Sequence, residues 1–185
     1  IRVFDKASRA VTRLTDAEAQ PERLVAEGSS LFWVAGKNFI REWREDGEPR
    51  NLRAFSSLAT NMLAVDHDAV YAWSEQTLLR VPRNGARPLV LVATTKSPPT
   101  DVAVDGDYVY WVEQGPAKET CASLCRGCDL GYKLTKPHPE GSLMRVPTRG
   151  GAVETVATNL PGVQRLSLHK GIAWVTTESG VLRID

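Results

Sequence analysis

Val102-Ala103-Val104-Asp105-Gly106-Asp107-Tyr108-Val109-Tyr110-Trp111 reads as two short strands joined by a tight turn. Valine and aromatic side chains suit a pleated, half-buried surface, while Gly106 supplies a positive φ and the flanking aspartates bond their own backbone. The phrase recurs. Leu24-Val25-Ala26-Glu27 runs through Gly28-Ser29-Ser30 into Leu31-Phe32-Trp33, and Leu63-Ala64-Val65-Asp66 runs through His67-Asp68 into Ala69-Val70-Tyr71. A fourth copy, Leu166-Ser167-Leu168-His169-Lys170-Gly171-Ile172-Ala173-Trp174, reads as the same hairpin with one residue fewer in its turn. Four of the five tryptophans then close second strands, with Trp73 displaced by one place.

Each hairpin is followed by an arginine phrase, and one copy stands ahead of the first hairpin: Ile1-Arg2-Val3, Ile40-Arg41-Glu42, Leu79-Arg80-Val81, Met144-Arg145-Val146 and Leu182-Arg183-Ile184. Their first positions are separated by 39, 39, 65 and 38 residues, a period near 39 with an insertion of about 26 in the third copy. After the arginine come a turn and a further strand, as in Pro82-Arg83-Asn84-Gly85-Ala86-Arg87 before 88–93. Four short antiparallel strands per period, with turn signals every ~8–12 residues, describe an all-β chain of propeller blades. The best helical candidate, Thr15 to Glu27, is interrupted by Pro21 and conflicts with the strand that the repeat requires from Leu24.

The segment 105–111 together with Gly141-Ser142-Leu143-Met144-Arg145-Val146-Pro147-Thr148-Arg149-Gly150-Gly151 resembles the YWTD- and NHL-type repeats of the six-bladed, TolB-like propellers, in particular their bacterial secreted or envelope members. The resemblance covers nearly the whole chain outside the insertion. It implies a β-propeller of four-stranded antiparallel blades, about four repeats in residues 1–185 as a single domain, and a secreted, periplasmic or cell-envelope location. Such propellers serve as receptor modules, as envelope scaffolds and, in a minority, as metal-dependent lactonases, so the fold alone does not choose a function. An arginine strand stands at both ends of the sequence, one strand more than four closed blades require. The expectation is therefore a segment of a larger ring, or a ring completed by an oligomer.

With 185 residues, 42% hydrophobic and 24% charged, the chain can bury a sizeable core. A formal net charge of +1 gives no global field that would draw it to nucleic acid, and no apolar run approaches the ~20 residues of a membrane span. No signal peptide is visible, and a removed one would leave the same sequence.

All three cysteines lie in the insertion, residues 114–140, as Cys121-Ala122-Ser123-Leu124-Cys125-Arg126-Gly127-Cys128. The C-x3-C-x2-C spacing is that of radical iron–sulfur enzymes, but here it interrupts an antiparallel blade instead of following the first strand of an α/β barrel. Zinc held by Cys121, Cys125, Cys128 and His138 is a second reading, although zinc sites usually present paired C-x2-C elements. The plainer reading is a disulfide between two of the cysteines, stapling a long polar loop in an exported protein. The third cysteine then stays free or pairs elsewhere. An insertion between the second and third strands stands on the face where propellers bind partners, which makes Cys121, Cys125, Cys128, Tyr132 and His138 the candidate protein-binding residues.

The repeated arginines read as a structural device, each guanidinium crossing to an adjacent blade, and Phe32, Trp33, Tyr71, Tyr110, Trp111 and Trp174 read as packing between blades. For an enzyme, the place to look is the start of each innermost strand, where Glu22, Asn61, Thr100 and Gln164 stand in register with Arg23, Asp101 and Arg165 beside them. The lactonase resemblance implies a hard cation such as calcium held there by Glu22 and Asn61. No nucleophile constellation or phosphate-binding glycine loop stands out. The sequence therefore favours a non-catalytic extracytoplasmic binding or assembly scaffold without a cofactor. Its alternatives are a metal-dependent, lactonase-like hydrolase and a structural subunit of a surface assembly.

Overall fold

Alternating apolar residues and short turns build hairpins, and in the first three blades each hairpin joins a second one to make a small twisted sheet. The computed structural model describes residues 1–4, 6–13, 21–36, 38–45, 47–55, 62–95, 99–115 and 141–185, all in strands, turns or extended connections. β1 (Arg2–Phe4) and β2 (Val11–Arg13) form a two-stranded ribbon. The first blade is β3 (Pro21–Glu27), β4 (Ser30–Ala35), β5 (Phe39–Arg44) and β6 (Arg50–Ala54). The second is β7 (Leu63–Val65), β8 (Ala69–Ser74), β9 (Thr77–Pro82) and β10 (Leu89–Val92), and the third is β11 (Pro99–Asp105), β12 (Tyr108–Glu113), β13 (Gly141–Pro147) and β14 (Glu154–Leu160). β15 (Arg165–His169), β16 (Ile172–Thr177) and β17 (Gly180–Ile184) make the fourth.

All neighbouring strands are antiparallel, and the innermost strands pack in the order β3, β7, β11, β15. The chain is an all-β protein in the arrangement of a four-bladed β-propeller. The helical candidate is strand from Pro21 onward, and residues 14–20 lie outside the described residues. The first-to-second strand turns are two residues long in the third and fourth blades, Gly106-Asp107 and Lys170-Gly171, so the expected shortening of the fourth turn does not occur. Lys170 and Gly171 both take positive φ, as the tightest hairpin turns require.

The core lies between blades. Phe32, Val34 and Ile40 of the first blade meet Leu63, Val65, Ala72 and Val81 of the second. Tyr71, Trp73 and Leu78 meet Val102, Trp111 and Val146, and Val112 and Leu143 meet Leu166, Ala173 and Val175. Trp73 and Trp111 stand edge to face at 6.0 Å, a favoured aromatic geometry.

At the axis the apolar pattern gives way to one carboxylate. Asp101, 2% exposed, accepts the backbone N–H of Leu166 at 3.0 Å on Oδ2. Its Oδ1 accepts Nη2 of Arg23 at 3.3 Å and the N–H of Val102 at 3.0 Å. One side chain of the third blade thus ties the first and fourth blades together. Both members of the ion pair sit where a register shift interrupts the innermost strand, between Glu22 and Val25 and between Pro99 and Asp101. Arg23 takes a φ of 45°, and such an irregularity re-aims a side chain that a regular strand would point elsewhere. Arg23→Gln should cost about 3 kcal/mol, because it leaves the buried Asp101 carboxylate without its counter-ion. Replacing Asp101 by Asn should cost less, about 2 kcal/mol, since Arg23 is 30% exposed and can turn to water, and the loss is that of a hydrogen-bond acceptor facing Leu166 and Val102. Urea denaturation of the two variants would show the asymmetry, and equal small losses would mean that the axial bond contributes little.

Candidate functional site

The side of the propeller opposite the start of the innermost strands carries the turns, and there the first blade differs from the others. In the second, third and fourth blades the arginine of the third strand stands opposite an aromatic residue: Arg80 opposite Tyr71, Arg145 opposite Tyr110, Arg183 opposite Trp174. Those aromatics face Ala64, Ala103 and Ser167 on the innermost strand. The same rung of the first blade reads Val25, Phe32, Glu42. The matching phrase is therefore Arg41-Glu42-Trp43, and a glutamate occupies the arginine position. The cause is the β4–β5 connection, which holds three residues where β8–β9 and β16–β17 hold two, and so moves β5 by one place. Trp33 and Trp111 lie one place beyond the rung that Trp174 occupies.

Glu42 is fully buried and collects three guanidinium groups. Arg44 Nε donates to Oε1 at 3.1 Å, Arg50 Nε to Oε2 at 2.8 Å with its Nη2 on the same oxygen, and Arg83 Nη2 to Oε1 at 3.1 Å. Arg83 belongs to the second blade. It also donates to Ser30 Oγ at 2.9 Å and to the His67 carbonyl at 3.0 Å, and its guanidinium stacks 4.8 Å from the Phe32 ring centroid. Burial works against the charged form of Glu42, but the hydrogen bonds and charges of Arg50 and Arg44 outweigh it and hold the carboxyl below its ordinary value of 4.5. In the second blade, burial and a 2.6 Å hydrogen bond to Asp66 push the Tyr71 hydroxyl well above the ordinary tyrosine range, so it remains a donor.

Above Glu42 a cleft of about 860 Å³ opens between the first two blades, lined by Arg44, Arg50, Arg80, Arg83, His67 and Asp68 among others. Sequence reasoning missed it because Arg80-Val81-Pro82-Arg83 reads as an ordinary turn. The signal that was available is Arg83 in the place where the matching turn, Pro147-Thr148, carries threonine: Arg83 N and Thr148 N donate to the Asp68 and Asp107 carbonyls in the same way, at 2.9 and 2.8 Å.

Among the described residues, three of the repeated arginines, expected to cross between blades, make bonds within their own blade. Arg145 pairs with Glu154 at 2.6 Å and lies 4.4 Å from the Tyr108 ring centroid, Arg41 donates to the Pro49 carbonyl, and Arg183 pairs with Asp185. Among the described residues the guanidinium groups that cross include those of Arg83, Arg23 and Arg50, whose Nη2 donates to the Arg83 carbonyl at 3.3 Å. Cys121, Cys125, Cys128, Tyr132 and His138 lie outside the described residues, as does Asn61. Glu22 lies near the start of β3 beside Arg23. Asp101, on the neighbouring innermost strand, is committed to Arg23 and two backbone N–H groups. Among the described residues no three His, Cys, Asp or Glu side chains are grouped to hold a metal, and no helix is long and apolar enough to cross a membrane.

No family model matches this chain, and no curated protein matches it. Solved structures do. BamB from Moraxella catarrhalis superposes with a TM-score of 0.62 at 13% identity, over 98% of this chain and 49% of that one. The computationally designed Ika4 protein gives 0.61 at 13% identity, over 92% and 94% of the two chains. A chain of the nidogen/laminin complex gives 0.58 at 10% identity, over 97% and 81%. At such identities the likeness shows the propeller fold alone. The chain spans about half the length of BamB.

Glu42→Gln should destabilise the protein by about 3 kcal/mol at neutral pH, because three arginines then face an uncharged group. A carboxyl whose folded pKa lies below its unfolded value contributes stability above 4.5 and loses it as pH falls through the lower folded value. The difference between wild type and Glu42→Gln in urea denaturation should therefore shrink on acidification below 4.5. A difference that stays constant with pH would show that packing, not charge, sets the loss.

Proposed function

We propose that this protein is a non-catalytic binding or assembly scaffold acting outside the cytoplasm, and that its partners are proteins. The observation that carries this reading is the bare flank of the fourth blade. Trp174, 41% exposed, holds the rung position at which Phe32 and Tyr71 are fully buried against the next blade. Val181, 62% exposed, holds the position at which Ile40, Leu78 and Leu143 are fully buried. Burying a side chain of this size contributes about 2 kcal/mol, and a flank of such residues on a sheet edge invites another sheet. On the first blade, Leu24 is 55% exposed where its counterparts Leu63, Val102 and Leu166 are buried against the preceding blade. The two flanks are complementary in kind, which supports head-to-tail association of copies as the form of the assembly. The nidogen/laminin complex provides a precedent of this fold in a protein complex.

The reading is tested by sedimentation velocity over a concentration series. Wild type should associate, while Trp174→Glu and Leu24→Glu should each remain monomeric alone. Mixed together, these variants should stop at a one-to-one dimer, because each keeps one intact flank. A wild-type chain that stays monomeric at its highest soluble concentration would overturn the assembly reading.

The insertion is the second contact element of the proposal. Glu113 and Ser142 form a regular rung where the insertion leaves and rejoins the blade, and Glu113 faces Pro99, two residues from Asp101. A Cβ on Gly141 would collide with the Leu160 carbonyl oxygen, which makes the root of the insertion tightly packed. Resemblance to secreted and envelope propellers supports the location, and a disulfide among Cys121, Cys125 and Cys128 belongs to the same proposal. Replacing residues 116–140 by a short Gly-Ser linker should leave the melting temperature within a few degrees and abolish capture of the partner. Capture at unchanged affinity would remove the insertion from the contact surface.

A further inference from the structure

The cleft between the first two blades holds more positive charge than its own carboxylates balance. Arg44, Arg50, Arg80 and Arg83 line it, against Glu42 at its floor and Asp68 at its rim, which leaves two arginine charges unmatched. Their donors are unevenly used. Arg83, 16% exposed, has all three nitrogens bonded to Glu42, Ser30 and His67. Arg44 and Arg50 are about half exposed, and Arg44 commits only Nε to Glu42. Nε of Arg80 is buried and has no hydrogen-bond partner among the described residues, while the same guanidinium also bonds the Tyr71 hydroxyl. A guanidinium presents five donors in a fixed fork that matches the oxygens of a tetrahedral oxyanion.

We propose that this cleft is a binding site for a multivalent oxyanion, a phosphate or sulfate ester, gripped by Arg44 and Arg50 at the mouth with Arg80 deeper in. Glu42 holds the guanidinium groups of Arg44, Arg50 and Arg83 in place before the anion arrives, so little side-chain entropy is lost on binding. Ser30 and Asn84 add polar contacts along the walls. The site is independent of the flanks and of the insertion, since it lies on the turn side of the first two blades.

The test uses the intact chain and inorganic pyrophosphate as probe, followed by calorimetry and by amide chemical shifts at matched ionic strength. Binding should be saturable, with shifts confined to the first and second blades. Arg44→Gln should weaken it about tenfold or more, the equivalent of one charge-assisted bond. Arg44→Lys should recover only part of that loss, because it restores the charge without the fork. Arg149→Gln, on the same side of the propeller but outside the cleft, should leave affinity unchanged. Parallel titrations with a phosphorylated and a sulfated monosaccharide name the source by whichever binds more tightly. No saturable binding of any of the three anions, or an equal loss in Arg149→Gln and Arg44→Gln, would overturn the site.

Discussion

One carboxylate at the axis sets the geometry of the whole molecule. A propeller blade is a twisted sheet, and the hydrophobic contact that packs it against the next is non-directional. Asp101 adds direction, because its two oxygens accept donors from its own strand, from Leu166 and from Arg23. A group this buried is stable in its charged form only with all these donors in place. Breaks in the register of β3 and β11 deliver Arg23 and Asp101 to one another, so local irregularity on two innermost strands is the condition for the regular packing farther out.

Away from the axis the same contact is made three times. An aromatic or aliphatic residue of one blade enters a face of small and branched residues on the next, as with Tyr71 and Trp73 against Val102 and Trp111. Repetition makes stability roughly a sum of neighbour interfaces, and it makes a flank without a neighbour conspicuous. The contrast is plain at a single rung, where Leu143 is fully buried and Val181, its counterpart in the following blade, stands exposed.

Much of the fold was legible because period-2 alternation and turn residues are local signals. Val102 to Trp111 announces a hairpin by itself, and its recurrence announces the propeller. Register across β4 and β5 was not legible: it depends on a single extra residue in the connection at 36–38, and a one-place shift exchanges Arg41 for Glu42 on the rung. The arginine cleft was hidden for another reason. Its members come from two blades, with Arg44 and Arg50 far from Arg80 and Arg83 in sequence, and only the packing of the first blade on the second brings them around one carboxylate.

Repeated units carry a hazard that unlike domains escape, since any blade can dock on any other while the chain is folding. The Glu42 substitution within the repeat gives the first joint its own identity. Only the second blade offers Arg83 at the matching height, whereas the third offers Thr148 there, so a wrong neighbour would leave Glu42 with the two arginines of its own blade and without the one that crosses the joint. A single residue that breaks the repeat thus acts as an address, fixing the order in which otherwise interchangeable blades are joined.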